Sequence, residues 1–197
     1  MRTREGNKER AIIESAIKVF AETGYHESKI SKIAEIAGIA TGSIYLYFKN
    51  KEEILERIFQ DVWSRLDSEL SIIEARLDFG PVEKLDGMID LIFVMLTENS
   101  SLAMIFSREY LTKTDLNSTA IMPLYNSFFT TGEKIIGEGI NKKVFSPTIN
   151  VSIFRHFVLG GVRNILHQWA EDPTDFPLDL IRQNLKDFIK KGILIVK

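Results

Sequence analysis

The chain has 197 residues, of which 45% are hydrophobic and 26% are charged, a balance typical of a globular protein with one large or two small domains. Cysteine is absent, which excludes disulfides and thiolate metal sites, and the charged first residues and short apolar runs predict a cytoplasmic protein without a membrane partner. The net charge of −2 is unevenly divided, with +3 over residues 1–51 and −5 over the remainder, which indicates a polyanionic partner for the N-terminal segment alone.

Helical periodicity runs along almost the whole chain, and no stretch alternates as a half-buried strand does. The first predicted helix has its apolar stripe within residues 12–20 and ends at Gly24. The second is predicted to extend from an N-cap at Ser28 to a C-terminal break at Gly38. A short third helix is predicted over 41–48.

A long fourth helix is predicted from an N-cap at Asn50 to about residue 79, with Leu77 as the last member of its apolar face. At 1.5 Å per residue it would be on the order of 40 Å long, enough to link two regions. Five more helices are predicted at about 82–98, 101–112, 118–140, 147–170 and 177–195. The expected fold is all-α with about nine helices, divided into a small domain over 1–50 and a larger one over 51–197.

Two short helices joined by a glycine-containing turn have the outline of a helix-turn-helix, whose second helix enters the major groove of DNA. The small polar residues 41–43 would allow a close approach of the backbone to DNA. Ile44 and Phe48 are spaced to pack into the core. Tyr45 then points elsewhere and can donate to a phosphate oxygen, and Lys51 lies where a helix N-terminus also attracts an anion.

The run from residue 12 to 55 resembles the DNA-binding domain of the TetR (tetracycline-repressor-like) family of bacterial transcriptional regulators. The matching motifs are FAETGY at 20–25, IAEIAGI at 33–39, GSIYLYF at 42–48 and KEEIL at 51–55. By matching position, the resemblance implies a set of DNA-contact residues consisting of Ser28, Lys29, Thr41, Gly42, Ser43, Tyr45, Tyr47 and Lys51.

Ala40 departs from the family pattern, which has Ser or Thr at this position to cap the recognition helix. Alanine cannot accept a hydrogen bond from the first N–H groups of the helix, a loss of about 1 kcal/mol unless another group caps. Thr41 could take over as the cap, which would move the helix start by one residue. Both starts are compatible with the sequence.

The resemblance also implies that the larger domain binds a small effector and forms a homodimer. The pair Gly160-Gly161 inside a predicted helix favours close approach of another helix, with a local kink as the alternative. The middle helices are rich in Met and aromatic residues, which suit either a hydrophobic ligand or an ordinary core. The candidate ligand-binding residues are Phe93, Met104, Arg108, Tyr125, Phe128, Phe129, His156 and Trp169.

The segment 107–110, together with Gln168-Trp169, is similar to fatty-acid-responsive members of the family, which bind acyl-CoA thioesters. An arginine beside an apolar tunnel would suit an acyl chain with an anionic head. A multidrug-type hydrophobic effector is the alternative. The expected function is that of a repressor that binds a palindromic operator as a homodimer and is released by its effector, without a cofactor.

Two other classes of protein are alternatives for a helical chain of this kind. A di-metal helical enzyme needs a Glu three residues before its ligating histidines, and His26, His156 and His167 have none. Phosphate-binding glycine loops and serine nucleophile elbows are also missing from the sequence, so we expect no enzyme and no metal site. A helical protein-interaction module without DNA binding is the remaining alternative.

Overall fold

The structure is a computed structural model that describes residues 2–108, 120–174 and 177–195, with side chains from residue 7 onward. Across these ranges nine helices follow in chain order, namely α1 Arg2–Thr23, α2 Ile30–Ala37, α3 Thr41–Ile44, α4 Lys51–Glu74, α5 Pro81–Leu96, α6 Ser100–Ser107, α7 Ile121–Asn141, α8 Val151–Glu171 and α9 Leu178–Ile193. An isolated antiparallel bridge joins Phe145 to Leu194. The prediction of an all-α fold is confirmed.

Helices α1 to α3 form a small bundle, which we call the head. Its core is closed, and Ile12, Phe20 and Ile33 are each 0% exposed. Gly24 and Gly38 follow α1 and α2 with φ of 77° and 66°, in the left-handed region that glycine adopts without steric cost. The two predicted glycine stops are therefore confirmed.

The predicted N-cap of α2 is wrong by one residue. The helix begins at Ile30, so Lys29 occupies the cap position, and its side chain makes no capping hydrogen bond. The hydroxyl of Ser28 instead donates to the carbonyl oxygen of Tyr25. Ser28 thus closes the turn between α1 and α2 rather than opening the next helix.

The third helix starts where the family pattern puts it, and it is shorter than predicted. Ala40 is the N-cap and makes no side-chain cap, so Thr41 is the first helical residue and does not take over the capping role. The helix ends at Ile44 instead of residue 48 because the chain tightens into a turn over 45–47, where the N–H of Tyr47 donates to Ile44 O at 2.9 Å.

Helix α4 begins as predicted, with reciprocal capping. Asn50 Oδ1 accepts from the N–H of Glu53 at 2.8 Å, and the Glu53 carboxylate accepts from the N–H of Lys49 at 2.6 Å. The helix ends at Glu74 rather than near 79, which makes it about 36 Å long. Leu77 lies beyond its end and is fully exposed, so it is not part of the apolar face.

Helices α5 to α9 form the larger region, which we call the body. Both α4 and α6 connect it to the head, since α4 packs against α1, α5 and α7, and α6 packs against α1 and α8. Residues 109–112 of the predicted helix 101–112 lie outside the described residues. No single helix in the described ranges has the length and apolar content to cross a membrane, and only α5 and α6 together, bent by 109°, meet that criterion.

Helices α8 and α9 carry large apolar side chains on their outer faces. The most exposed of these are Ile153, Phe157, Leu180 and Phe188. Gly160 and Gly161 lie on α8, and within the described residues nothing comes within 4 Å of a Cβ placed on either of them. The close approach that this glycine pair predicts is therefore not made inside the described part of the chain.

Candidate DNA-binding surface and effector cavity

The short helix α3 turns a polar surface outward because its apolar side chains are used in the core. Ile44 is 0% exposed and Phe48 5%, as the spacing predicts. Among the predicted contact residues of this segment, Thr41, Gly42 and Tyr45 are exposed, and Ser43 and Tyr47 are half-buried. Hydroxyl groups and a glycine backbone at this surface supply donors for phosphate oxygens and base edges.

Lys51 is bound to the protein itself. Its Nζ donates to the carbonyl oxygens of Tyr25 at 2.9 Å and His26 at 2.7 Å, and lies 3.4 Å from that of Ser28. It also lies 4.8 Å from the centroid of the Tyr25 ring. An ammonium has three donors, so these contacts use its hydrogen-bonding capacity. Lys51 ties the start of α4 to the turn after α1, and its predicted phosphate contact would require these bonds to be exchanged.

The other predicted contacts differ in their access to DNA. Ser28 is 6% exposed and its hydroxyl is already bonded, whereas Lys29 is exposed. Tyr47 is half-buried and packs against the core. Leu46, which sequence reasoning missed, is 82% exposed on the same turn and suits a thymine methyl group. The sequence signal for Leu46 was its position between Ile44 and Phe48, the two residues that face inward.

A cavity of about 400 Å³ lies among α4, α5, α6, α7 and α8. One wall is a cluster of aromatic rings around Trp63, with centroid distances of 5.0 Å to Tyr125, 5.7 Å to Phe128, 5.8 Å to Phe129 and 6.3 Å to Phe106. Two of these pairs, with Tyr125 and Phe128, meet edge to face, a geometry that aromatic rings prefer. The result is a rigid apolar lining of the kind that accepts hydrophobic ligands.

The cavity shares walls with two further volumes of opposite character. A narrow apolar extension of about 60 Å³ has four residues in common with it, Ile92, Phe129, Val158 and Leu159. A polar recess of about 500 Å³ shares Arg108, Gly160 and Arg163 with it and also includes His26, Ser107, Asn164 and His167. From the apolar extension, through the cavity, to the basic recess, the three volumes match the shape and polarity of an amphiphile with an anionic head.

Arg108 joins the cavity to the head. Its side chain lines both the cavity and the recess, and its Nη1 donates to the carbonyl oxygen of Ala21 in α1 at 3.0 Å. The neighbouring Ser107 donates to Met104 O at 3.0 Å and lies 3.2 Å from Nδ1 of His167. The Arg108 side chain therefore belongs both to the cavity wall and to the contact between body and head.

Five of the eight predicted ligand residues meet at the cavity, namely Arg108, Tyr125, Phe128, Phe129 and His156. The structure does not bring Phe93, Met104 and Trp169 to it, because they are buried in the packed core. Trp63 lines the cavity and was missed by the sequence reasoning, although it follows the buried Phe59 by one helical turn. A buried aromatic stripe has the same sequence pattern whether it faces side chains or a void.

A helix-turn-helix head on a helical body with a lined cavity defines a DNA-binding, ligand-responsive transcriptional regulator. The model of the family described as "Bacterial regulatory proteins, tetR family" matches residues 12–58, and that of "YsiA-like protein, C-terminal region" matches residues 66–192. The chain belongs to the TetR family of bacterial regulators, with a YsiA-like C-terminal region. The resemblance seen in its first quarter is confirmed.

Similar proteins extend the likeness over both regions. The fatty acid metabolism regulator protein of Bacillus subtilis (strain 168) is 29% identical over 183 residues, which cover 92% of this chain and 93% of that protein. The fatty acid degradation regulator FadR from Bacillus halodurans superposes with a TM-score of 0.80 at 27% identity, over 94% of this chain and 95% of that one. FadR from Bacillus subtilis in complex with stearoyl-CoA superposes with a TM-score of 0.78 at 27% identity, over 93% and 98%.

Proposed function

We propose that this chain is a cytoplasmic repressor that binds a palindromic operator as a homodimer and is released by a long-chain acyl-CoA thioester. Residues 1–50 would read DNA, and residues 51–197 would bind the effector and the second copy. The observation that carries the proposal is the gradient from aromatic cavity to basic recess, with Arg108 at the boundary. FadR of Bacillus subtilis, similar over 93% of this chain, was solved with stearoyl-CoA.

Release would depend on the bond between Arg108 and Ala21. An anionic head group is a stronger acceptor for a guanidinium than a neutral carbonyl, because both partners of that hydrogen bond are charged. A ligand that draws Arg108 into the recess removes a tie between α6 and α1. The two recognition helices of a dimer must lie about 34–36 Å apart to enter successive major grooves, so a shifted head weakens operator binding. The free energy that couples effector binding to operator binding equals the difference in effector-binding free energy between the operator-competent and the released state.

The outer faces of α8 and α9 support the homodimer. Their exposed apolar side chains include Phe157 at 78% and Phe188 at 70%, and large exposed apolar surfaces on a protein mark interaction sites. Two copies related by a two-fold axis would pack α8 and α9 into a four-helix arrangement. The open backbone at Gly160 and Gly161 would then admit a helix of the second copy.

The experiment that tests the proposal is titration of the full-length protein onto a labelled duplex from the region upstream of its own gene, read by fluorescence anisotropy. We expect salt-sensitive binding, because Lys and Arg side chains replace counterions on phosphates. Hexadecanoyl-CoA should weaken this binding by at least tenfold. Free CoA and neutral hexadecanol should not. Duplex binding that is absent at every salt concentration would favour the interaction module instead.

A variant of Arg108 distinguishes the two effector classes, an acyl-CoA thioester and a neutral multidrug-type ligand. Arg108→Gln should reduce the response to hexadecanoyl-CoA by about tenfold, the usual scale for one lost charge-assisted bond. Arg65→Gln is the matched control, since Arg65 pairs with Glu98 on the surface and does not line the cavity. A full response from hexadecanol, with no effect of Arg108→Gln, would favour a neutral multidrug-type ligand.

A further inference from the structure

The narrow apolar extension has one side in a tightly packed part of the body. Its lining comes from one face each of α5 and α7, at positions spaced by three or four residues, and from α8 and α9. Four apolar side chains that line the extension but not the cavity are at most 6% exposed, namely Leu85, Ile89, Ile136 and Ile189. Close-packed side chains yield little to an added group. On this side the extension therefore ends against a wall that resists displacement.

The extension offers a ligand no unpaired charge. Its two charged lining residues bind each other, since Arg155 Nη1 donates to the Glu133 carboxylate at 3.0 Å. The Arg155 guanidinium also lies 5.8 Å from the centroid of the Phe129 ring. The four residues that the extension shares with the cavity are all apolar. A hydrocarbon chain that passes from the cavity into the extension therefore meets apolar side chains and gains the free energy of leaving water.

Met88 and Gly132 lie against each other at the lining of the extension. A Cβ placed on Gly132 would be 2.7 Å from the methyl carbon of Met88 and 3.0 Å from its sulfur. The end of Met88 thus occupies the place that a side chain at position 132 would take. A methionine side chain is unbranched and has three rotatable bonds, so it can move where its branched neighbours cannot. Because the end of Met88 rests on Gly132, the space beside it stays open.

We propose that the contact between Met88 and Gly132 sets the length of the acyl chain that the protein accepts, by fixing the depth of the extension. This inference rests on the proposed acyl-CoA response and adds to it the residues that distinguish long chains from shorter ones. The terminal methyl group of the chain would lie beside Met88, with the head group toward the basic recess. Each methylene group that enters the extension leaves water and should raise the affinity about fourfold. Methylene groups beyond its depth gain nothing, so the affinity should stop rising at a definite chain length.

The test measures the affinity of the full-length protein for saturated acyl-CoA thioesters from decanoyl to eicosanoyl, in steps of one carbon and below their micelle concentrations. Tryptophan fluorescence reports binding, because Trp63 lines the cavity. The wild type should show the rise and the break described above. Gly132→Ala should push the end of Met88 into the extension and move the break to chains shorter by about one or two carbons.

Two further variants complete this series. Met88→Ala removes the end of the side chain and should move the break to chains longer by about two or three carbons. Gly137→Ala adds the same methyl group to α7 at a position where nothing lies within 4 Å, and it should leave the break where it is. Chains shorter than every break should bind all four proteins equally, because their ends do not reach Met88.

Three results would overturn the inference and leave the acyl-CoA response standing. An affinity that rises over the whole series in the wild type would show that the extension does not limit the chain. A break at one chain length in the wild type, Gly132→Ala and Met88→Ala would remove this contact from chain selection. Equal weakening of every thioester by Gly132→Ala would show that the contact serves the packing of α5 on α7. If no thioester binds the wild type, both the inference and the proposed function fail.

A second measurement locates the chain end without a change of volume at the site. The chain has five methionines, so protein with isotopically labelled methionine methyl groups gives five methyl resonances. Met88→Leu, a volume-conserving exchange, identifies the one that belongs to Met88. In the complex with hexadecanoyl-CoA, a nuclear Overhauser effect should connect this methyl group to the terminal methyl group of the acyl chain. An effect to the methylene group next to the thioester, or none to the chain end, contradicts the proposal.

Discussion

The head and the body differ in how completely each fills its own interior. In the head, Phe20, Ile33 and Ile44 are 0% exposed, and Lys51 ties the turn after α1 to α4 by hydrogen bonds to carbonyl oxygens. The body, together with α4, surrounds a partly open cavity of about 400 Å³ and leaves Phe157 on its outer surface. Native interiors contain few voids larger than a water molecule. The head is therefore built to keep its shape, whereas the body leaves a cavity and an apolar surface that the proposed effector and second copy would cover.

The largest effect is expected from a charge placed on the open apolar face of the body. Phe157→Lys should convert the proposed dimer to a monomer and weaken operator binding by on the order of 100-fold, because each copy loses about 1.5–3 kcal/mol of burial and must desolvate an ammonium. Sedimentation velocity and operator titration measure the two effects. Leu77→Lys, at an exposed leucine outside α8 and α9, should change neither. A dimer that survives Phe157→Lys would contradict the proposed interface.

Not all of the body is open, and Gly139 marks a part that is tightly packed. A Cβ on this residue would overlap the ring of Phe145, which is 0% exposed, so Gly139→Ala should lower the free energy of unfolding by about 1–3 kcal/mol. Gly137→Ala, two residues earlier on α7, meets nothing within 4 Å and should raise it by about 0.5–1 kcal/mol through helix propensity. Urea titration of both variants measures the difference. Equal effects would mean that the α7 contact with Phe145 is loose.

The rigidity of the head is tested at Lys51. Lys51→Met keeps the aliphatic stem and leaves the carbonyl oxygens of Tyr25 and His26 without their donor, so the free energy of unfolding should fall by about 1–3 kcal/mol. The exposed Lys49→Met is the control. If Lys51 serves mainly as a phosphate contact, Lys51→Met should instead retain the free energy of unfolding and reduce the salt slope of DNA binding by about 1.

The reading surface of the head is tested by removing a single hydroxyl. Tyr45→Phe should weaken operator binding by about threefold to tenfold, because the exposed phenol loses one donor to a phosphate oxygen. Tyr125→Phe makes the same change in the cavity wall and should leave operator binding without effector unaltered. Anisotropy titration of both variants separates the roles of the two regions. An unaltered affinity for Tyr45→Phe would remove the phenol from the DNA contact.

The smallest expected effect is a dependence of body stability on pH. Hydrogen bonds from Lys142 at 2.6 Å and Lys84 at 3.0 Å lower the pKa of Glu138 below its ordinary value of 4.5. A folded-state pKa that is depressed stabilises the fold above the unfolded value, and this contribution is lost as the pH falls through the lowered pKa. Wild type should therefore exceed Glu138→Gln in melting temperature at neutral pH. The difference should shrink below about pH 4.5, and a gap that persists in acid would rule out this ionisation as its cause.

Prediction from the sequence succeeded where the determining contacts are local. The caps at Asn50 and the stops at Gly24 and Gly38 involve atoms within a few residues, so residue type alone foretold them. It failed at Ser28 and at the length of α3, where a turn of two or three residues competes with the helix for the same N–H and C=O groups.

By itself the sequence determined the helical class of this protein, its helix-turn-helix and its membership of a family, because periodicity, capping and a nearly continuous motif are short-range properties. Only the tertiary structure decided that Trp63 would line a cavity while Phe93 and Trp169 would fill the core. It alone also placed Arg108 against Ala21, which is 87 positions away along the chain. Such choices depend on which helices meet and on the volume they leave between them, and no local pattern records that volume.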